Sequence, residues 1–115
     1  MEFAVSREGT TLVTLHGGSN TTAREDAAAE LEETFESLAT EGTLVDWAVT
    51  DAEVHEPPSA PFDPYTIAIE FDVVVTVEAD DAEAAGERGA ETIDAALAEA
   101  GVDSITYRSS PTASA

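Results

Sequence analysis

A chain of 115 residues, 43% hydrophobic and 6% aromatic, is long enough for one compact domain and too short for two, with a core drawn mainly from Val, Ile, Leu and Ala. Asp and Glu number 25 against four Arg and no Lys, a formal charge of −21, and the arginines are too scattered to make a basic stripe for a nucleic-acid backbone. No cysteine is present, which excludes a disulfide framework, a thiolate metal site and a thiol nucleophile.

Phe3–Ser6 and Thr11–His16 are two short β patterns. Arg7-Glu8-Gly9-Thr10 between them has the length of a hairpin loop and a glycine suited to positive φ, so an extra N-terminal strand is predicted in front of the first main one. His16-Gly17-Gly18-Ser19-Asn20 breaks the pattern, and Thr22 with Glu25 reads as a capping box opening a helix. Ala27, Leu31, Phe35 or Thr34, and Leu38 recur at helical spacing, and Gly42 is the predicted C-cap. Leu44–Thr50 begins a strand with Val45, Trp47 and Val49 inward, continuing to His55 with a bulge near Thr50. Residues 56–64 carry Pro57, Pro58, Pro61 and Pro64 and read as a stiff surface loop.

Tyr65–Glu78 is the firmest element. Ile67, Ile69, Phe71, Val73, Val75 and Val77 fall on one face and Glu70, Asp72, Val74 and Thr76 on the other, the period of a half-buried strand. Asp80 or Asp81 then caps a helix whose small-residue face, including Ala85, Gly86, Gly89, Ile93, Ala96 and Leu97, permits close approach to a sheet, and Gly101 closes it. Residues 102–108 form a last short strand, and 109–115 a flexible tail beyond a single domain of residues 1–108. Two successive strand–helix–strand units predict an α+β ferredoxin-like βαββαβ sandwich, with two helices on one face of an antiparallel sheet.

Three features carry candidate chemistry. Gly17, Gly18, Ser19 and Asn20 lie between a strand and a helix N-terminus, where free amides hold anions, although with no lysine and no phosphate-loop spacing, and with Thr22 able to cap the helix unaided, a simple strand-to-helix turn is the leading reading. The predicted topology brings His16 and His55, the chain's two histidines, to one end of the sheet near Asp63 and Tyr65, a set able to supply a general base with an assisting group. Strands two apart are separated by roughly 9–10 Å, so no shared metal site or cofactor is expected. Phe62 and Tyr65 flank prolines, where an aromatic side chain anchors a partner or covers the end of the core. The sheet face that would stack RNA bases in a ferredoxin-like fold presents Glu70 and Asp72 instead of aromatic rings, so no nucleic acid is expected.

The Ala-, Asp- and Glu-rich, lysine-free composition resembles that of proteins from extremely halophilic archaea, whose cytoplasm is concentrated in salt. At about 1 M salt the screening length is roughly 3 Å, so crowded carboxylates repel little, whereas in dilute buffer they loosen the fold. Met1–Ser6 carries no basic segment or long apolar run and no stretch approaches a membrane span, so a cytoplasmic chain with no membrane partner is expected. The leading expectation is a non-enzymatic module that self-associates, as a homodimer across Ile67–Val77 or the edge formed by 44–55, or that binds a protein or small ligand. The alternative is a small dimeric enzyme using His16 or His55 as base.

Overall fold

The computed structural model describes residues 1–15, 20–56, 64–102 and 104–114. The elements in chain order are β1 (Glu2–Leu15), α1 (Asn20–Thr40), β2 (Asp46–Glu56), β3 (Tyr65–Glu78), α2 (Ala82–Glu99), β4 (Thr106–Tyr107) and β5 (Thr112–Ser114). The strands make one antiparallel sheet in the order β2-β3-β1-β4, with β5 also against β1. Both helices pack on the same face. This α+β arrangement is consistent with a ferredoxin-like fold carrying an added strand.

The hairpin predicted at Arg7–Thr10 is absent. β1 runs unbroken for 14 residues and pairs with β3 from Glu2 opposite Glu78 to Leu15 opposite Tyr65. The reason is non-local. Gly9 sits where a Cβ would lie 3.0 Å from the tip of the Phe71 ring and 3.4 Å from the Tyr107 ring, so the glycine makes room for two aromatic side chains within the strand. Positive φ among the described residues belongs to Gly42, Gly101 and Ser104, not to Gly9.

β3 occupies its predicted bounds, and Ile67, Ile69, Phe71, Val73 and Val75 are all buried. It is paired with β1 along its whole length and with β2 from Thr66 to Val74, so among the described residues its open edge is confined to Val75–Glu78. β2 carries the bulge expected near Thr50 and a second register shift between Val54 and Glu56. Its predicted inward residue Val45 is instead 56% exposed, and Leu44, 2% exposed, fills the core. Chain geometry dictates this. α1 ends in a Schellman cap, with Gly42 N–H donating to Ala39 O and Thr43 N–H to Leu38 O, and the turn directs Leu44 inward before Val45 N–H reaches Val74 O.

α1 begins at Asn20, two residues before the predicted capping box, so Thr22 lies inside its first turn. Ala23, Ala27, Leu31, Phe35 and Leu38 form its buried stripe. The Phe35 ring packs 5.3 Å from Phe71 and 5.8 Å from Trp47, both tilted, and pins α1 to β3 and β2. α2 is capped by Asp81, whose carboxylate accepts the Ala84 N–H at 2.8 Å. Its end repeats the Schellman geometry at Gly101, with Val102 N–H donating to Leu97 O. Segment 109–115, predicted as a tail, contributes Thr112–Ser114, which pairs with Ala4–Ser6 of β1. The last predicted strand shrinks to Thr106–Tyr107 because Ser104, at φ 54°, turns the chain just before it.

α2 approaches the sheet through Gly89. A Cβ there would lie 2.4 Å from Val5 Cβ, whereas one at Gly86 meets nothing within 4 Å. Gly89→Ala is therefore expected to destabilise the fold by about 1–3 kcal/mol through overpacking. Gly86→Ala is expected to stabilise it by about 0.5–1 kcal/mol, since alanine costs less entropy in a helix. Urea denaturation of both variants in molar KCl checks the pair, and equal effects would contradict the close approach at Gly89.

Candidate functional site

Backbone pairing assembles one end of the sheet: Leu15 lies opposite Tyr65 and Glu56 opposite Thr66. His55 falls at the second irregularity of β2, in the same end region. Tyr65 is half-buried and packs against the hydrophobic core. Of the other residues expected here, His16, Gly17, Gly18, Ser19, Phe62 and Asp63 lie outside the described residues, as do the side chains of Asn20 and His55. Among the described residues no three His, Asp or Glu are grouped to hold a metal ion.

A cleft of about 530 Å³ lies beside the same half of β1. Its walls are Leu12, Val13, Leu31, Thr34 and Val102, with Glu30 at the rim. It exists because the two layers differ in reach. Strand β1 spans about 46 Å, whereas α2 spans about 27 Å and starts from the opposite end of the sheet, where Arg88 Nη1 donates to Glu78 O at 2.7 Å. α2 therefore ends before it covers the far part of β1. A second furrow of about 480 Å³ continues from Thr34 and Ala100 between the helices, past Ser37, Leu38, Ala96 and Glu99. Hydroxyls and a carboxylate on apolar walls suit an uncharged or cationic group. Thr34 already donates its hydroxyl to Glu30 O at 3.1 Å.

The helix-free face is the second candidate surface. Register places Glu2, Glu8, Glu70, Asp72 and Glu78 on it, together with Asp46, Asp51 and Glu53 of β2. Three cross-strand pairs oppose like charges: Glu2 with Glu78, Glu8 with Asp72, and Asp51 with Glu70. Arg108 reaches Glu70 at 3.2 Å, an exposed pair of small energetic value. Small and hydroxyl side chains, among them Ala4, Ser6, Thr10, Ala68 and Thr76, share the face with Leu12 and Val74.

A third cluster escapes the sequence reading. Arg7 shares the helix-side face with Val73, and its guanidinium carbon lies 3.7 Å from the centre of the Tyr107 ring. The Tyr107 hydroxyl donates to Asp94 of α2. The cluster ties β1, β4 and α2 together, although the Arg7 Nε is buried without a hydrogen-bond partner among the described residues. Its sequence signal was hidden because Arg7 sits in a turn-like string, which removes it from the reach of Tyr107.

Comparison with known proteins returns no match: no family model, no curated protein and no solved structure matches the chain. A superfold by itself fixes no activity, so the functional reading rests on the surfaces above.

The Tyr107 phenol is pushed well above its ordinary value near 10, first by burial and then by the hydrogen bond and charge of Asp94, with Arg7 opposing. A raised folded value means that its contribution to stability is complete below the unfolded value of about 10 and is lost as pH rises toward the folded one. Tyr107→Phe is expected to cost about 1 kcal/mol at neutral pH and to flatten the alkaline loss of stability. Subtracting the variant's ultraviolet titration from that of the native chain isolates this phenol. Ionisation of the difference signal near 10 would contradict the assignment.

Proposed function

We infer that this chain is a non-catalytic α+β module of a salt-rich cytoplasm that works by associating with a second copy of itself. The observation that carries the reading is the one-sided sheet: two helices cover one face, and among the described residues the other is a broad uncovered wall built on two 14-residue strands. Uncovered sheet surface and strand edges are the usual places for a partner. The like-charged pairs on this wall argue for the medium. Carboxylates directly opposite one another destabilise a sheet in dilute buffer and lose most of that penalty where ions screen within a few ångströms. A net charge of −21 has the same consequence for association, since two copies repel strongly unless salt screens them.

Sedimentation equilibrium in molar KCl, from micromolar to millimolar protein, tests the reading. A dimer mass is expected at the upper concentrations, with weaker association and a lower melting temperature at physiological ionic strength. Asp72→Asn removes the Glu8–Asp72 opposition and is expected to raise the melting temperature more in dilute buffer than in molar KCl. A monomer at every concentration in molar KCl would overturn self-association. A melting temperature indifferent to salt would overturn the salt-adapted part.

A further inference from the structure

Among the described residues three stretches make up most of the outer edge of the sheet, and two of them carry the devices that keep strands from pairing with strangers, while the short end of β3 beyond β2, Val75–Glu78, carries Glu78 opposite Glu2. β2 is interrupted by register shifts after Val49 and after Val54 and is lined by Asp46, Asp51 and Glu53. On the opposite side β4 and β5 are two and three residues long, with Pro111 in the break between them. The third stretch is β1 beyond its pairing with β4, and from Leu12 to Leu15 no strand flanks its outer side among the described residues. This segment has no bulge against β3, no proline and no charge: residues 11–15 read Thr-Leu-Val-Thr-Leu in a chain of net charge −21.

The backbone directions are fixed by one bond. Arg108 N–H donates to Glu8 O at 2.9 Å, so the even-numbered residues of β1 point their amide and carbonyl groups away from β3. Alternation along the strand then directs the N–H and C=O of Leu12 and Thr14 outward.

We propose that two copies of this chain join by antiparallel pairing of β1 at Leu12–Leu15, which makes one sheet continuous across a dimer. The proposal rests on the self-associating reading and names its surface. A two-fold axis at Val13 sets Leu12 opposite Thr14 of the partner subunit and Thr14 opposite Leu12 of the partner subunit, closing about four backbone hydrogen bonds. Val13 then faces its own copy in a non-hydrogen-bonded pair, with Cα atoms roughly 4.5 Å apart. Its side chain lies on the helix side, in the cleft walled by Leu12, Leu31 and Val102, so the join also covers apolar surface that α2 leaves uncovered. Charge selects the occupant. A second acidic copy meets carboxylates along β2 and across the helix-free face, but the strand at this edge carries none from residue 11 to 15, whereas a basic partner would be drawn to those carboxylates instead. Glu30 at the cleft rim supplies the residual repulsion that salt screens. Pairing of Gly9 and Thr10 with β4 stops the join from sliding toward the N-terminus and holds it to a closed two-fold.

Because the chain has no cysteine, Val13→Cys introduces a single thiol at the proposed axis, within the distance range of a disulfide. Mild oxidation in molar KCl is expected to convert this variant to a covalent dimer, while Asp51→Cys on the β2 edge stays monomeric on a denaturing gel. Thr14→Pro deletes an outward N–H that the β1–β3 ladder does not use, and is expected to weaken association by about tenfold or more, with Thr14→Val unaffected. Equal cross-linking of the two cysteine variants, or an undiminished dimer for Thr14→Pro with a native circular dichroism spectrum, overturns the edge and leaves self-association standing. A monomeric native chain overturns both.

Discussion

The antiparallel pairing of β1 with β3 is the constraint on which the rest of the structure depends. Each strand is 14 residues long and the ladder runs the full length of both, so a single register sets which side chains face the helices and which face outward. Phe3, Val5, Ile67, Ile69, Phe71, Val73 and Val75 enter the core through that register, and α1 and α2 are then placed by what they must cover. A slip of one residue would send the carboxylates of Glu8, Glu70 and Asp72 into the core. Gly9 is the point where the ladder is most exposed to failure, and there the rings of Phe71 and Tyr107 occupy the space of the missing side chain.

The charge distribution follows from the same register. Acidic residues fill the outward face of the sheet and the exposed faces of both helices, and three of the four arginines make specific contacts. Arg7 lies against Tyr107, Arg88 reaches the end of β3, and Arg108 meets Glu70. Two of these join elements distant in the sequence within the sheet and Arg88 ties a helix to it, so the scarce cations serve as fasteners more than as a binding surface. The carboxylates that oppose one another across strands make the fold's stability a function of the surrounding ions.

Much of this architecture was legible in the sequence because it rests on local signals. The alternation from Tyr65 to Glu78, the small face of α2, the glycines at 42 and 101 and the irregularity near Thr50 all act within one or two turns of chain, and all appear where expected. The misreadings share an origin in distant partners. Arg7–Thr10 looks like a turn until Phe71 and Tyr107 are brought to Gly9, and Val45 looks inward until the cap at Gly42 presents Leu44 instead. Thr112–Ser114 becomes a strand only because Ala4–Ser6, from the other end of the chain, lies beside it. Of the expected sheet-end site, Tyr65 is a packing residue and the strand ends do converge. The cleft beside Val13 and the Arg7–Tyr107–Asp94 cluster were invisible, since each is made by residues from elements far apart in the chain.

The continuity of β1 is the claim with the most resting on it, and amide hydrogen exchange followed residue by residue in molar KCl tests it most directly. The odd-numbered residues of β1 point toward β3, so the amides of Arg7 and Gly9 are predicted to exchange as slowly as those of Val5 and Val13 on either side. Rapid exchange confined to Arg7–Thr10, between two protected segments, would mean a hairpin at Gly9 and would contradict the long ladder on which the account is built.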